Sequence, residues 1–169
     1  MRILIVSAMF HAGELGGAGT YAYLLSKELV RQGHHVDVIA NLTGPMKGQT
    51  PFTIYELKLS KLRIIGILKW TIAAYVYSRR LMRKNNYDIV HEIHFMTNMY
   101  RLMWSSRIPM VTTIQQGWAL TSPAISRPRR IVEFLIELAV CKKYAKTIVL
   151  NRHHEFELLR WGFLERRLP

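Results

Sequence analysis

Between residues 7 and 25 the chain reads SAMFHAGELGGAGTYAYLL. Gly16, Gly17 and Gly19 stand between an apolar strand pattern and a helical one. Backbone without side chains can come close to a ligand, and the N–H groups that open a helix suit phosphate oxygens. Further polar groups stand where later apolar runs end. HEIH supplies His91, Glu92 and His94, and QQGW supplies Gln115, Gln116 and Trp118. The basic loop SPAISRPRR (122–130) carries Arg127, Arg129 and Arg130, whose guanidinium forks match phosphate geometry.

The elements that hold these groups follow from periodicity. RILIVSA (2–8) reads as a strand buried on both faces. Residues 17–32 read as a helix with Ala18, Tyr21, Ala22, Leu25 and Leu29 on one face. Gly33 stands where a left-handed cap would end it. HHVDVIA, FTIYELKL, DIVHEI, PMVTTI and KTIVL read as further strands. Helices are expected over 61–84, 97–106, 129–144 and in HHEFELLRW, with Cys141 as a packed thiol on the third of these. Loops fill 41–51 and 115–128. The expected fold is α/β: a doubly wound, Rossmann-like parallel sheet of about six strands flanked by helices, with residues 1–169 as one domain. In such sheets ligands bind beyond the carboxyl ends of the strands, where the polar groups above fall.

Composition narrows the class. The chain has 169 residues, half of them hydrophobic, which excludes disorder and allows a sizeable core. Its one cysteine excludes an internal disulfide framework and suits a reducing, cytoplasmic setting. The N-terminal apolar run is too short for a signal peptide. The longest apolar stretch, 64–78, carries Lys69 and is too short to span a bilayer. The formal net charge of +13 implies an acidic partner: nucleic acid, anionic lipid or a phosphorylated substrate.

GAGTYA (17–22) fits the dinucleotide pattern G-x-G-x-x-G/A, with Asp37 about 20 residues on. The context does not fit. Met9 to Gly16 separate the expected strand from the glycines, and Asp37 falls inside the second strand instead of at its end. A P-loop is excluded because no Gly-Lys-Ser/Thr follows.

Another pattern fits in order across nearly the whole chain. MRILIVS followed by GGAGTYAYLLSKELVRQGHHVDVIA, then NNYDIVHEIHF, IPMVTTIQQGW and AKTIVLNRHHEFELLRWGF, resembles the N-terminal domain of glycosyltransferase family 4 enzymes, which have the GT-B fold. Gly16, Gly17, Gly33, His34, Val36 and Val38 stand at the family's Gly-Gly and G-H-x-V-x-V positions. The resemblance implies a retaining enzyme that moves a sugar from a nucleotide diphosphate sugar to a lipid-linked or saccharide acceptor. Gly16 and Gly17 would let the loop approach the diphosphate. The competing reading is that they only form a tight turn.

The resemblance also implies a second, donor-binding domain, since GFLERRLP corresponds to the segment before the crossing between domains. That half is expected in the same gene or on a separate chain, unless the domain is a remnant. Alone, the chain is expected to be inactive and to bind no cofactor, the nucleotide sugar being a co-substrate of the complete enzyme. Where the family often has a histidine after the fifth strand, this chain has Gln115 and Gln116, which can orient hydroxyls but not carry protons. His94, Gln115, Gln116 and Trp118 are expected to line the acceptor cleft, Trp118 as a lid or a sugar platform. His91 is expected to be packed and hydrogen-bonded, with Glu92 on the opposite face. Arg127, Arg129 and Arg130 are placed to hold an acceptor phosphate or lipid headgroup. No metal site is expected: His34–His35 and His153–His154 are adjacent pairs, which do not share a face.

Residues 58–86 carry eight Lys or Arg and no acid around an apolar centre with Trp70, Tyr75 and Tyr77. This helix either covers the sheet with its basic ends in water or rests on anionic lipid at the inner face of a membrane, its aromatics among headgroups. Nucleic-acid binding is not expected, because no helix-turn-helix, zinc-finger or RNP signature occurs. The alternative to an enzyme half is a stand-alone module that binds anionic lipid or docks a separate donor domain.

Overall fold

The computed structural model describes residues 1–12, 17–43, 50–58, 63–93, 106–114, 145–150, 152 and 155. In chain order the elements are β1 (Arg2–Phe10), α1 (Gly17–Arg31), β2 (His35–Leu42), β3 (Thr53–Glu56), α2 (Arg63–Lys84), β4 (Ile89–Ile93), β5 (Met110–Ile114) and β6 (Lys146–Val149). The strands form one sheet in the order β3-β2-β1-β4-β5-β6. Every pairing is parallel. The expected doubly wound, Rossmann-like sheet is therefore present. The helices expected at 97–106, 129–144 and after 152 lie outside the described residues.

Strand alternation sorts β1 between two cores. Leu4, Val6 and Ala8 pack with Ile39, Val90 and Met110 under Trp70, Ala74 and Leu81 of α2. Ile3 and Ile5 pack with Val36, Val38, Ala40 and Ile93 under Ala22 of α1. This is why β1 is apolar without interruption: both its faces are covered.

β1 runs two residues beyond its expected end. The register with β2 shifts between Ser7 and Phe10, and the Ser7 hydroxyl donates to the Met9 carbonyl. The irregularity moves Phe10 onto the α1 side, where its ring meets Tyr23 at 6.0 Å and Phe52 at 5.9 Å, edge to face. Met9 is turned to solvent. β2 likewise extends through Asn41 and Leu42, residues read as loop from composition. β3 is shorter than FTIYELKL suggests. After Glu56 the chain leaves the sheet, and the Leu57 carbonyl accepts the Trp70 indole N–H at 2.7 Å.

α1 ends as expected. Gly33 has φ +83°, its N–H donates to Val30 O, and the His34 N–H donates to Leu29 O. These two bonds make a Schellman cap. Of the two readings open for this helix, Trp70 follows the one in which it covers the sheet: it is buried in the core. Tyr77 packs on Tyr55 with ring centroids 5.6 Å apart. Trp70 and Tyr77 of α2 thus serve the sheet.

Candidate functional site

All six strands point their carboxyl ends to one edge, where β1 hands over to α1. α1 begins at Gly17, whose φ of +77° lies in the left-handed region that favours glycine. A Cβ at Gly17 would meet nothing within 4 Å. The residue is therefore needed for its backbone, and the space its side chain would take is open. The first turn of α1 has no acidic side chain, so its N–H groups and positive dipole end are not neutralised from within that turn.

Beneath this turn lies His11, a residue that motif matching passes over. Its side chain is buried, at 7% exposure. Nδ1 lies 3.3 Å from the Thr20 hydroxyl. A Cβ at Gly19 would overlap the ring, coming within 2.7 Å of Nε2. Gly19 is thus a close-approach glycine, and His11 sets the distance between the end of β1 and the start of α1. The signal available in the sequence was a polar ring one position after the last apolar residue of β1.

A second polar cluster joins β4, β5 and α1. His91 Nε2 and Thr113 Oγ1 lie 2.7 Å apart. Tyr21 OH reaches the same Thr113 oxygen at 3.4 Å, the long end of hydrogen-bonding range. Burial pushes the His91 imidazole down to about 4, so it is neutral at neutral pH. His91 is therefore packed and hydrogen-bonded, as expected. Glu92 is fully buried, and strand alternation sets it on the face opposite His91.

Asp37 is far from this edge. It stands near the amino end of β2, where it accepts from Arg2 Nη2 at 2.9 Å, Arg2 Nε at 3.2 Å and Tyr87 OH at 2.6 Å. The hydrogen bond to Asp37 holds the Arg2 guanidinium above its ordinary range. Burial, and then the bond to Asp37, raise the Tyr87 phenol. Asp37 is a structural acid and not a ribose ligand. The longer β1 leaves only residues 11–16 between strand and helix, which weakens the spacing argument against a dinucleotide loop. The position of Asp37 carries that exclusion instead.

Of the residues expected at the site, Gly17 lies at the carboxyl edge. Gly16, His94, Gln115, Gln116, Trp118, Arg127, Arg129 and Arg130 lie outside the described residues. Among the described residues no group of three or more His, Cys, Asp or Glu side chains could hold a metal ion.

Residues 15–168 match the family model described as Glycosyltransferase Family 4. The chain belongs to glycosyltransferase family 4. Its fold resembles sucrose-phosphate synthase from Thermosynechococcus elongatus, with a TM-score of 0.69 and 19% identity over 95% of this chain and 45% of that one. A second, shorter chain of that synthase gives a TM-score of 0.63 and 17% identity, covering 95% of this chain and 82% of that chain. The family 4 chain thus spans less than half of the longer synthase, in keeping with one half of a GT-B fold. No curated protein matches it. Family membership gives the two clusters a common setting. Tyr87 and His91 of YDIVH reach residues of two other family segments: Tyr87 bonds Asp37 beside Val36 and Val38, and His91 bonds Thr113 of PMVTTI.

Proposed function

We propose that the chain is the N-terminal, acceptor-side domain of a retaining glycosyltransferase. It serves transfer of a sugar from a nucleotide diphosphate sugar to a hydroxyl on a lipid-linked or saccharide acceptor. The observation that carries the reading is the left-handed Gly17, with open space where a side chain would stand, at the start of α1 and at the carboxyl edge of the sheet. Gly16 and Gly17 bring backbone to the donor diphosphate. His94, Gln115, Gln116 and Trp118 line the acceptor cleft, and Arg127, Arg129 and Arg130 hold an acceptor phosphate or lipid headgroup. The domain contributes orientation and charge stabilisation. A donor-binding half, in the same gene or on a separate chain, completes the site, and the nucleotide sugar enters as co-substrate.

The test is transfer from a panel of radiolabelled nucleotide sugars into a membrane lipid extract. The chain is assayed alone and together with a donor-binding half. Transfer is expected only with both halves. Gly17→Val is expected to lower the melting temperature, because φ +77° strains any side chain there, and to abolish transfer at temperatures where the variant is still folded. Undiminished transfer by Gly17→Val would remove the diphosphate role from this loop.

A further inference from the structure

α2 has two faces of different character. Inward, Trp70, Ala74 and Leu81 belong to the core under the sheet. Outward, Leu68, Lys69, Ile72, Ala73, Val76, Arg79, Arg80, Arg83 and Lys84 are all exposed. At about 100° per residue these positions fill one continuous arc of roughly 160°. Leu68, Ile72 and Val76 form a row at i, i+4 and i+8 and are 54%, 48% and 57% exposed. Lysines and arginines flank and continue that row, and α2 contains no acid.

The basic end of the arc has a shape. Tyr75, Val76, Arg79, Arg80, Arg83 and Lys84 line an open concavity of about 450 Å³. Arg79 is held at its rim: Nη1 donates to Tyr75 OH at 3.1 Å, and the guanidinium stands 5.7 Å from the centre of that ring.

We propose that this outward face of α2 lies on an anionic lipid bilayer. Leu68, Ile72 and Val76 enter the headgroup–acyl boundary, and the arginines and lysines engage lipid phosphates, with the concavity receiving a headgroup. A merely solvated basic face has no use for a row of half-exposed aliphatics, whereas an interfacial helix needs both. Among the described residues no helix is long and apolar enough to cross a membrane, so α2 lies on the surface. Nucleic acid fits less well, because stacking needs exposed aromatics, and Trp70 is buried with its N–H bonded to Leu57. The inference is compatible with a lipid acceptor but stands without glycosyl transfer.

The test is flotation of the full chain with phosphatidylcholine vesicles, with and without phosphatidylglycerol. Binding is expected only with phosphatidylglycerol and is expected to weaken as salt rises. The triple variant Arg79→Gln/Arg80→Gln/Arg83→Gln is expected to bind about a hundredfold more weakly. Leu68→Ser/Ile72→Ser/Val76→Ser is expected to lose the part of binding that survives high salt. All six positions are exposed, so unchanged thermal melts accompany either result. The proposal is overturned by no binding of wild type to anionic vesicles, by wild-type binding of both triple variants, or by binding lost only on Arg127→Gln/Arg129→Gln/Arg130→Gln. Binding to single-stranded nucleic acid that depends on α2, without vesicle binding, also overturns it.

Discussion

The imidazole of His11 occupies the space that any side chain at position 19 would need. β1 and the first turn of α1 are thereby spaced by one ring, with Thr20 tying Nδ1 from the helix side. Because His11 is buried, it has little room to swing aside. Gly19→Ala is expected to destabilise the domain by about 1–3 kcal/mol through overpacking. In a His11→Ala background the same change should cost much less. Urea melts of the two singles and the double measure the coupling. Equal costs in both backgrounds would show that the helix turn yields elsewhere.

Asp37 gathers Arg2 and Tyr87 at the amino edge, and its side chain is almost wholly buried while that of Arg2 is 33% exposed. Asp37→Asn keeps the shape but removes the charge that two partners address. The expected loss is about 2 kcal/mol, below that of a fully buried pair because water reaches Arg2. Tyr87→Phe removes one hydrogen bond and is expected to cost about 1 kcal/mol. Chemical denaturation at neutral pH reads both values.

His91 makes stability depend on pH in one direction. Its ordinary value of 6.5 falls to about 4 in the folded chain. Between these values the unfolded chain binds more protons, so stability rises with pH there. The contribution is complete above pH 6.5 and is lost as pH falls towards 4, by up to about 3 kcal/mol. Denaturation curves at several pH values should show this slope, and His91→Gln should flatten it.

Ser78 faces the core from α2, and its hydroxyl is buried with no hydrogen-bond partner among the described residues. Ser78→Ala removes that desolvated group and raises helix propensity. The variant is expected to gain about 1 kcal/mol, read as a higher melting temperature. A loss would mean that the hydroxyl has a partner in the folded protein.

The strand–helix alternation, the Gly33 cap and the packed His91 were legible in the sequence because each has a local signature. The end of β1 was not. Met9 and Phe10 break strict alternation, and only the irregularity after Ser7 turns Phe10 towards α1. The place of Trp70 stayed open between two readings for a related reason. A helix apolar nearly all round does not announce which face the sheet takes, and Trp70 is settled by the Leu57 carbonyl reached across the chain. His11 was missed because its role depends on an absent side chain, at Gly19, that only packing reveals. The residues expected at the acceptor cleft lie outside the described residues, and only the sequence and the family supply their roles; of the expected donor loop, Gly17 stands at the start of α1.

β1 is bordered by β2 on one side and by β4 on the other. Arg2, at the start of β1, donates its backbone N–H to the carboxylate of Asp88, just before β4 and 86 positions on. During synthesis, the most apolar strand therefore emerges long before the strand that closes its second edge. Until β4 arrives, β1 can pair only with β2, and its other edge stays open to any passing strand. Such long-range closure slows folding and exposes a nascent chain to aggregation. Expression of this domain should consequently depend on chaperones and on temperature more than its final stability suggests.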